Sequence, residues 1–298
     1  MKCITPPLPF RQLAAVAALT IGAAACSTDS PTSPSVRSQG GSSSSITTAT
    51  ISSDIATSAG NSIASDIQNL TANEVAAINP SMAVITARFD DKVGGTAGSS
   101  TPSANGPSET CTFSTSTQVY TCTTSSQETI VRTFAYFDSA GKAMPKFIQG
   151  VTASIHYLVK IDGTVTKDST FSAVRHSVRD LTVSGLLGDT RIWNGFGSSA
   201  DTNSHTEALS KRTYTGLAVD TLQAVTFAKE RSTHPYPLSG VAIRVVNYTV
   251  VSIGKETVTT TVYKRVVVTF NGTANVPITL GNFSCTLHLD TKKVDGCK

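Results

Sequence analysis

Charge is scarce in this sequence: Asp, Glu, Lys and Arg together make up 15% of its 298 residues. The formal balance of +4 is small, and part of it lies at the N-terminus, in Lys2 and Arg11. Basic residues nowhere gather into a run with interleaved aromatics, so nucleic acid is not among the expected partners. Local signatures of common chemistry are missing too. There is no Gly-x-Ser-x-Gly elbow, no phosphate-binding glycine loop and no His-Glu-x-x-His. The Cys-x₂-Cys spacing of zinc sites is absent, and Asp162-Gly163 with Asp168 lacks the ligand spacing of an EF-hand. Five histidines, His156, His176, His205, His234 and His288, are scattered along the chain. Only His176, with Arg175 and Arg179 nearby, suggests a local cationic cluster for an anionic ligand. A glycosidase-type carboxylate pair leaves no local motif, but acidic residues are sparse in the β-rich part. We expect no enzymatic activity, no cofactor and no metal.

One apolar stretch stands out near the start. Leu13 to Ala25 is apolar apart from Thr20 and follows the positively charged Lys2 and Arg11. That suits the h-region of a signal peptide and is too short to span a bilayer as a helix. No later stretch approaches the length of a membrane span.

The apolar stretch ends in Ala23-Ala24-Ala25-Cys26, followed by Ser27. This resembles the lipobox of bacterial lipoproteins, although Ala23 stands where that family usually has Leu. The resemblance implies a diacylglyceryl group on the Cys26 thiol, cleavage before Cys26, and acylation of the new amine. Acyl chains at about 0.8 kcal/mol per buried methylene would then tie the protein to a membrane. In the family, Asp directly after the cysteine goes with inner-membrane retention; Ser27 there implies an outer-membrane destination in a cell with two membranes. Ordinary cleavage after Ala25, giving a soluble secreted protein, is the alternative.

Of the six cysteines, Cys3 leaves with the signal and Cys26 takes the lipid. Cys111, Cys122, Cys285 and Cys297 remain, an even number that reads as disulfides in an exported protein. Spacing favours two local bridges, Cys111–Cys122 and Cys285–Cys297. Each closes a short loop, which contributes about 3 kcal/mol on the chain-entropy estimate.

The chain divides into a signal peptide (1–25), a Ser/Pro/Gly-rich tether (26–45), a helical segment (46–80), a loop (81–110) and an antiparallel β domain (111–298). In the helical segment Ile51, Ile55, Ala59, Ile63, Ile67 and Leu70 recur three or four residues apart, and Asn79-Pro80 marks the stop. Gly60 and many Ser and Thr residues weaken its propensity, so this helix must lay its Ile stripe on something else. Beyond it, Glu128–Phe137, Thr152–Ile161, Ser172–Val183, Thr190–Gly195, Lys211–Val219, Leu222–Lys229, Val241–Ile253 and Glu256–Phe270 read as strands. Asp162-Gly163 reads as a hairpin turn. Between Glu256 and Phe270, Val258, Val262, Val266, Val268 and Phe270 alternate with Thr257, Thr259, Thr261, Tyr263, Arg265 and Thr269, one face buried and one wet. The expected fold is mainly β: an antiparallel meander, as a curved open sheet or a sandwich, with one N-terminal helix packed on it.

Trp193-Asn194-Gly195-Phe196-Gly197 places the only tryptophan beside glycines, and Trp193 and Phe196 are the candidate ligand contacts. Taken together, the tether, the Ser/Asp-rich helix, the Phe137–Gly141 turn, Trp193–Gly195 and the terminal cysteine pair resemble β-rich bacterial envelope lipoproteins. That resemblance brings no activity with it. The expected function is a lipid-anchored, non-enzymatic binding or scaffold module at the cell surface. The alternative is a carrier holding a lipid or other apolar ligand between sheet and helix. Its expected partners are the membrane, through Cys26, and a protein, glycan or lipid.

Overall fold

Strands from Glu109 onward form because β-branched and aromatic residues alternate there with small hydroxyl-bearing ones, a pattern that fits a pleated surface with one face buried. A computed structural model describes residues 47–78, 109–125, 128–166, 171–207, 210–254 and 256–298. The expected signal peptide and tether, with Cys26, lie outside these residues, as does nearly all of the expected loop.

The strands are β1 (Glu109–Ser114), β2 (Val119–Ser125), β3 (Glu128–Phe137), β4 (Ala143–Met144), β5 (Ser154–Thr166), β6 (Phe171–Ser184) and β7 (Thr190–Glu207). They continue as β8 (Ser210–Ala228), β9 (Ser239–Ile253), β10 (Thr257–Thr269), β11 (Asn275–Leu280), β12 (Phe283–His288) and β13 (Lys293–Asp295). All join one 13-stranded antiparallel sheet in which each strand lies beside its sequence neighbours, except that β4 pairs only with β3, which goes on to pair with β5. The architecture is therefore the open meander and not the sandwich.

Two details differ from the sequence reading. β5 runs straight through Asp162-Gly163, which pair with His176 and Arg175 of β6. The dipeptide tolerates a turn but does not impose one where a long neighbour supplies a ladder on both sides. Lys211–Val219 and Leu222–Lys229 are likewise one strand, β8, in which Ala224 takes up a left-handed conformation (φ 48°) at a shift of register between Gln223 and Thr226. This bulge moves the inward side chains from even positions (Tyr214, Ala218) to odd ones (Val225, Phe227).

The expected alternation along β10 holds where the strand covers the core. Val266, Val268 and Phe270 are buried, whereas Val258 is exposed, because β9 and β10 run past the core at their shared end. Two disulfides fasten the ends of the sheet. Cys111 of β1 is bonded to Cys122 of β2, its direct ladder partner, and Cys285 of β12 to Cys297 just beyond β13.

The helix, α1 (Thr48–Ile78), begins at Thr47, whose Oγ1 accepts the Thr50 amide at 3.1 Å as an N-cap. Ile51, Ile55, Ala56, Ala59, Ile63, Ala64, Ile67 and Leu70 are all buried in the same core as the inward face of the sheet. Such burial stabilises by about 1.5–3 kcal/mol per large side chain. That docks a helix whose Ser, Thr, Asn and Gly content gives it little stability of its own.

Candidate interaction surface

The inward face of the sheet carries more than apolar residues. Arg179 (β6), Arg191 (β7), Arg212 (β8) and Arg244 (β9) have side chains no more than 7% exposed. An unpaired buried cation costs several kcal/mol, and each of these meets carboxylates. Asp54, Asp66 and Glu74 of α1 reach them from the helix: Arg212 Nε donates to Asp54 at 2.7 Å, Arg179 Nη2 to Asp66 at 3.1 Å, and Arg191 Nε to Glu74 at 2.8 Å. Glu74 also accepts from Arg231 at 3.2 Å, and that guanidinium lies 3.7 Å over the Phe227 ring. Arg244 donates to both oxygens of Asp220 at 2.9 Å, to Asp201 at 2.7 Å and to Ser62 of α1 at 3.1 Å.

Burial alone would lower the Arg179 and Arg244 pKa values. The facing carboxylates (Asp66 and Asp220 for Arg179, Asp220 and Asp201 for Arg244) more than offset it and hold both guanidiniums charged. Tyr136 and Tyr214 add hydrogen bonds from the sheet to Ala77 O and Asp54. Apolar and ionic contacts thus clamp α1 along its length.

A cleft remains beside the Asp66–Arg179 pair, walled by Leu70, Val159, Leu181 and Leu222, with Gly195 and Gly197 in its lining. Gly197 is required there: a Cβ at that position would stand 2.4 Å from Arg179 Cδ. The free volume is about 40 Å³. At roughly 10–15 Å³ per water, that is room for a few waters.

The outward face is different. Side chains on β6–β10 point alternately away from α1, and the register aligns them in rows. Asp180, Phe196, Thr221, Ile243 and Val267 form one row; Val178, Ser198, Val219, Val245 and Arg265 the next; His176, Ala200, Leu217, Asn247 and Tyr263 a third. Phe196 and Leu217 are 62% exposed, Val219 51% and Tyr263 70%. Val178 is also exposed, and Ile243, Val245 and Val267 are half-buried between them. This is a contiguous apolar patch on a solvent-facing sheet, a feature that marks contact surfaces.

Trp193 and Phe196, the two candidate ligand contacts, fall on opposite sides of the sheet. Trp193 is fully buried and stacked on Tyr157 with ring centroids 5.5 Å apart, so its ring offers nothing to a ligand. Phe196 belongs to the outward patch and also contributes to the cleft lining. His176 and Arg179 do not come together as a cationic cluster, and His176 lies on a solvated strand face, the alternative reading of this stretch. Period-two alternation sends Arg179 inward to Asp66 and His176 outward to Asp162, 2.8 Å away. His156 similarly meets Asp180 at 2.7 Å, and His288 meets Asn275 and Asp295. Among the described residues no group of three or more His, Cys, Asp or Glu side chains is placed to hold a metal ion.

Sequence reading missed the arginine row. The signal was present: Arg179 shares strand parity with Leu181 and Val183, Arg191 with Trp193, and Arg244 with Ala242 and Val246, all buried. No family model, curated protein or solved structure matches the chain.

Proposed function

We propose that this protein is a lipid-anchored envelope component, held on a membrane through Cys26, that works as a non-enzymatic binding or scaffold module. The binding part of this reading is carried by the outward apolar face of β6–β10, with Phe196, Leu217, Val219 and Tyr263 each more than half exposed. The anchoring part is carried by Ala23-Ala24-Ala25-Cys26 and the short tether that separates it from Thr48, the first residue of α1. A helix clamped from Asp54 to Ala77 makes the folded module a rigid platform. Ser27 after the lipidated cysteine favours the outer membrane where there are two.

The carrier alternative needs an apolar cavity between α1 and the sheet. The Ile stripe of α1 fits closely onto the sheet, and the cleft of about 40 Å³ beside Arg179 is small for an acyl chain, which supports the scaffold reading over the carrier.

The deciding experiment is palmitate labelling of cells expressing the wild type and Cys26→Ala. The wild type is expected to take up label and fractionate with membranes, and the variant to lose label and leave that fraction. Label surviving in Cys26→Ala would overturn the anchor.

A further inference from the structure

We propose that the outward face of β6–β10 docks a second copy of this chain, the two sheets packing face to face about a two-fold axis that runs along β8. The proposal deepens the binding-module reading and rests on it.

Three observations lead there. First, the patch is built from neighbouring strands of one antiparallel sheet, with β8 at its centre carrying Leu217 and Val219. Sheets that stack through apolar faces sit about 10 Å apart with strand directions within roughly 30°, and the natural partner for such a face is another of the same shape. Homo-oligomers most often close with two-fold symmetry, in which one patch meets itself.

Second, the charges on the patch lie at opposite margins. Asp180 sits on β6 in the row of Phe196, and Arg265 on β10 in the row of Val219. Four strand spacings, about 19 Å, separate these columns. A two-fold axis along β8 lays β6 of one copy over β10 of the other. Each Asp180 then comes within one row, about 7 Å along the strand, of an Arg265 side chain, and this happens twice. An axis across the strands would instead stack β6 on β6 and β10 on β10, facing Asp180 with Asp180 and Arg265 with Arg265. Charge therefore selects the orientation.

Third, the size suits association on a surface. Five strands by three rows cover roughly 400 Å² per copy, about half the ~800 Å² that each partner of a standard stable complex buries. Such a dimer is weak between freely diffusing chains. Chains tethered to one membrane meet at a much higher effective concentration.

The test is photo-cross-linking in intact cells, with p-benzoylphenylalanine in place of Thr215, an exposed outward residue of β8 on the expected axis, or of Thr112, exposed on β1 at the far edge of the sheet. The expected result is an adduct of two copies from position 215 and none from 112. Arg265→Asp or Asp180→Arg alone should cut the adduct at 215 by roughly tenfold, and the two together should restore it. Arg265 faces solvent, and Asp180 is half-exposed with the half-exposed His156 as its partner, so each variant should melt near wild type, which is measured alongside. No adduct at 215, an adduct with a different protein, equal yields at 215 and 112, or a double reversal that fails to restore would each overturn the proposal. Palmitate labelling of Cys26 is a separate readout, so failure of the anchor and failure of the docking face give different results.

Discussion

Gly60 of α1 faces Val294 of β13 so closely that a Cβ on Gly60 would stand 2.6 Å from Val294 Cγ2 and 3.2 Å from Leu287 Cδ1. A glycine inside a helix costs about 1 kcal/mol relative to alanine. Here it lets the helix backbone sit directly against the C-terminal strands that the Cys285–Cys297 bridge holds together. Gly60→Ala should therefore destabilise the protein, since overpacking costs about 1–3 kcal/mol against a propensity gain of about 1 kcal/mol. In a Val294→Ala background the same change should become neutral or stabilising. Urea midpoints of the four proteins check this, and a Gly60→Ala that stabilises the wild type would contradict the close approach.

Truncating the Ile stripe is the plainest test that α1 shares one core with the sheet. Ile55 is 1% exposed and Ile63 3%. Ile55→Ala or Ile63→Ala should each lower stability by about 2–5 kcal/mol, seen as a shift of the single melting transition of the sheet. An unchanged melt would mean that α1 is not docked.

Much of this arrangement was legible in the sequence because it follows from period. The 3.6-residue recurrence of Ile51, Ile55, Ile63 and Ile67 marked a helix that had to be buried, and the period-two pattern around Val266 and Val268 marked an antiparallel sheet with one wet face. Whatever depended on which strand lies beside which was hidden. Asp162-Gly163 has turn chemistry, yet only the ladder formed with His176 and Arg175 decides that the strand continues. Trp193 and Phe196 are three residues apart and flank the break in register between Trp193 and Gly195, so local sequence does not say which of them faces solvent. The pairing of Asp66 with Arg179 spans 113 positions, and neither residue signals the other.

Glu74 is the carboxylate that a buried guanidinium, Arg191, and a partly buried one, Arg231, both reach. Removing one partner of a buried pair leaves charge in a poor solvent, a loss of about 3–5 kcal/mol. Glu74→Ala should cost that much by chemical denaturation. His176 and Asp162 also lie 2.8 Å apart, but both are exposed, and Asp162→Ala should cost less than about 1 kcal/mol. Equal effects of the two substitutions would show that the clamp under α1 is no drier than the outer surface.

Alkaline pH should unfold helix and sheet together, because the two share one core. Burial pushes the phenols of Tyr136, Tyr157, Tyr214 and Tyr248 above their usual value of about 10. A group whose folded pKa is raised stabilises the fold fully below the unfolded pKa, and that contribution is lost as pH rises toward the folded value. Stability should therefore be insensitive to these four groups through neutral pH and fall above about pH 10, where the unfolded chain loses its phenolic protons first. Two of the four also donate hydrogen bonds that hold α1, Tyr136 to Ala77 O and Tyr214 to Asp54. Ionising Tyr214 would place a phenolate against the Asp54 carboxylate. In a pH titration, tyrosinate absorbance from these residues should rise together with loss of the circular dichroism of the sheet, in one cooperative step. If they ionise near pH 10 while the sheet signal and the melting temperature stay constant, then these phenols are open to water and α1 does not seal the inward face.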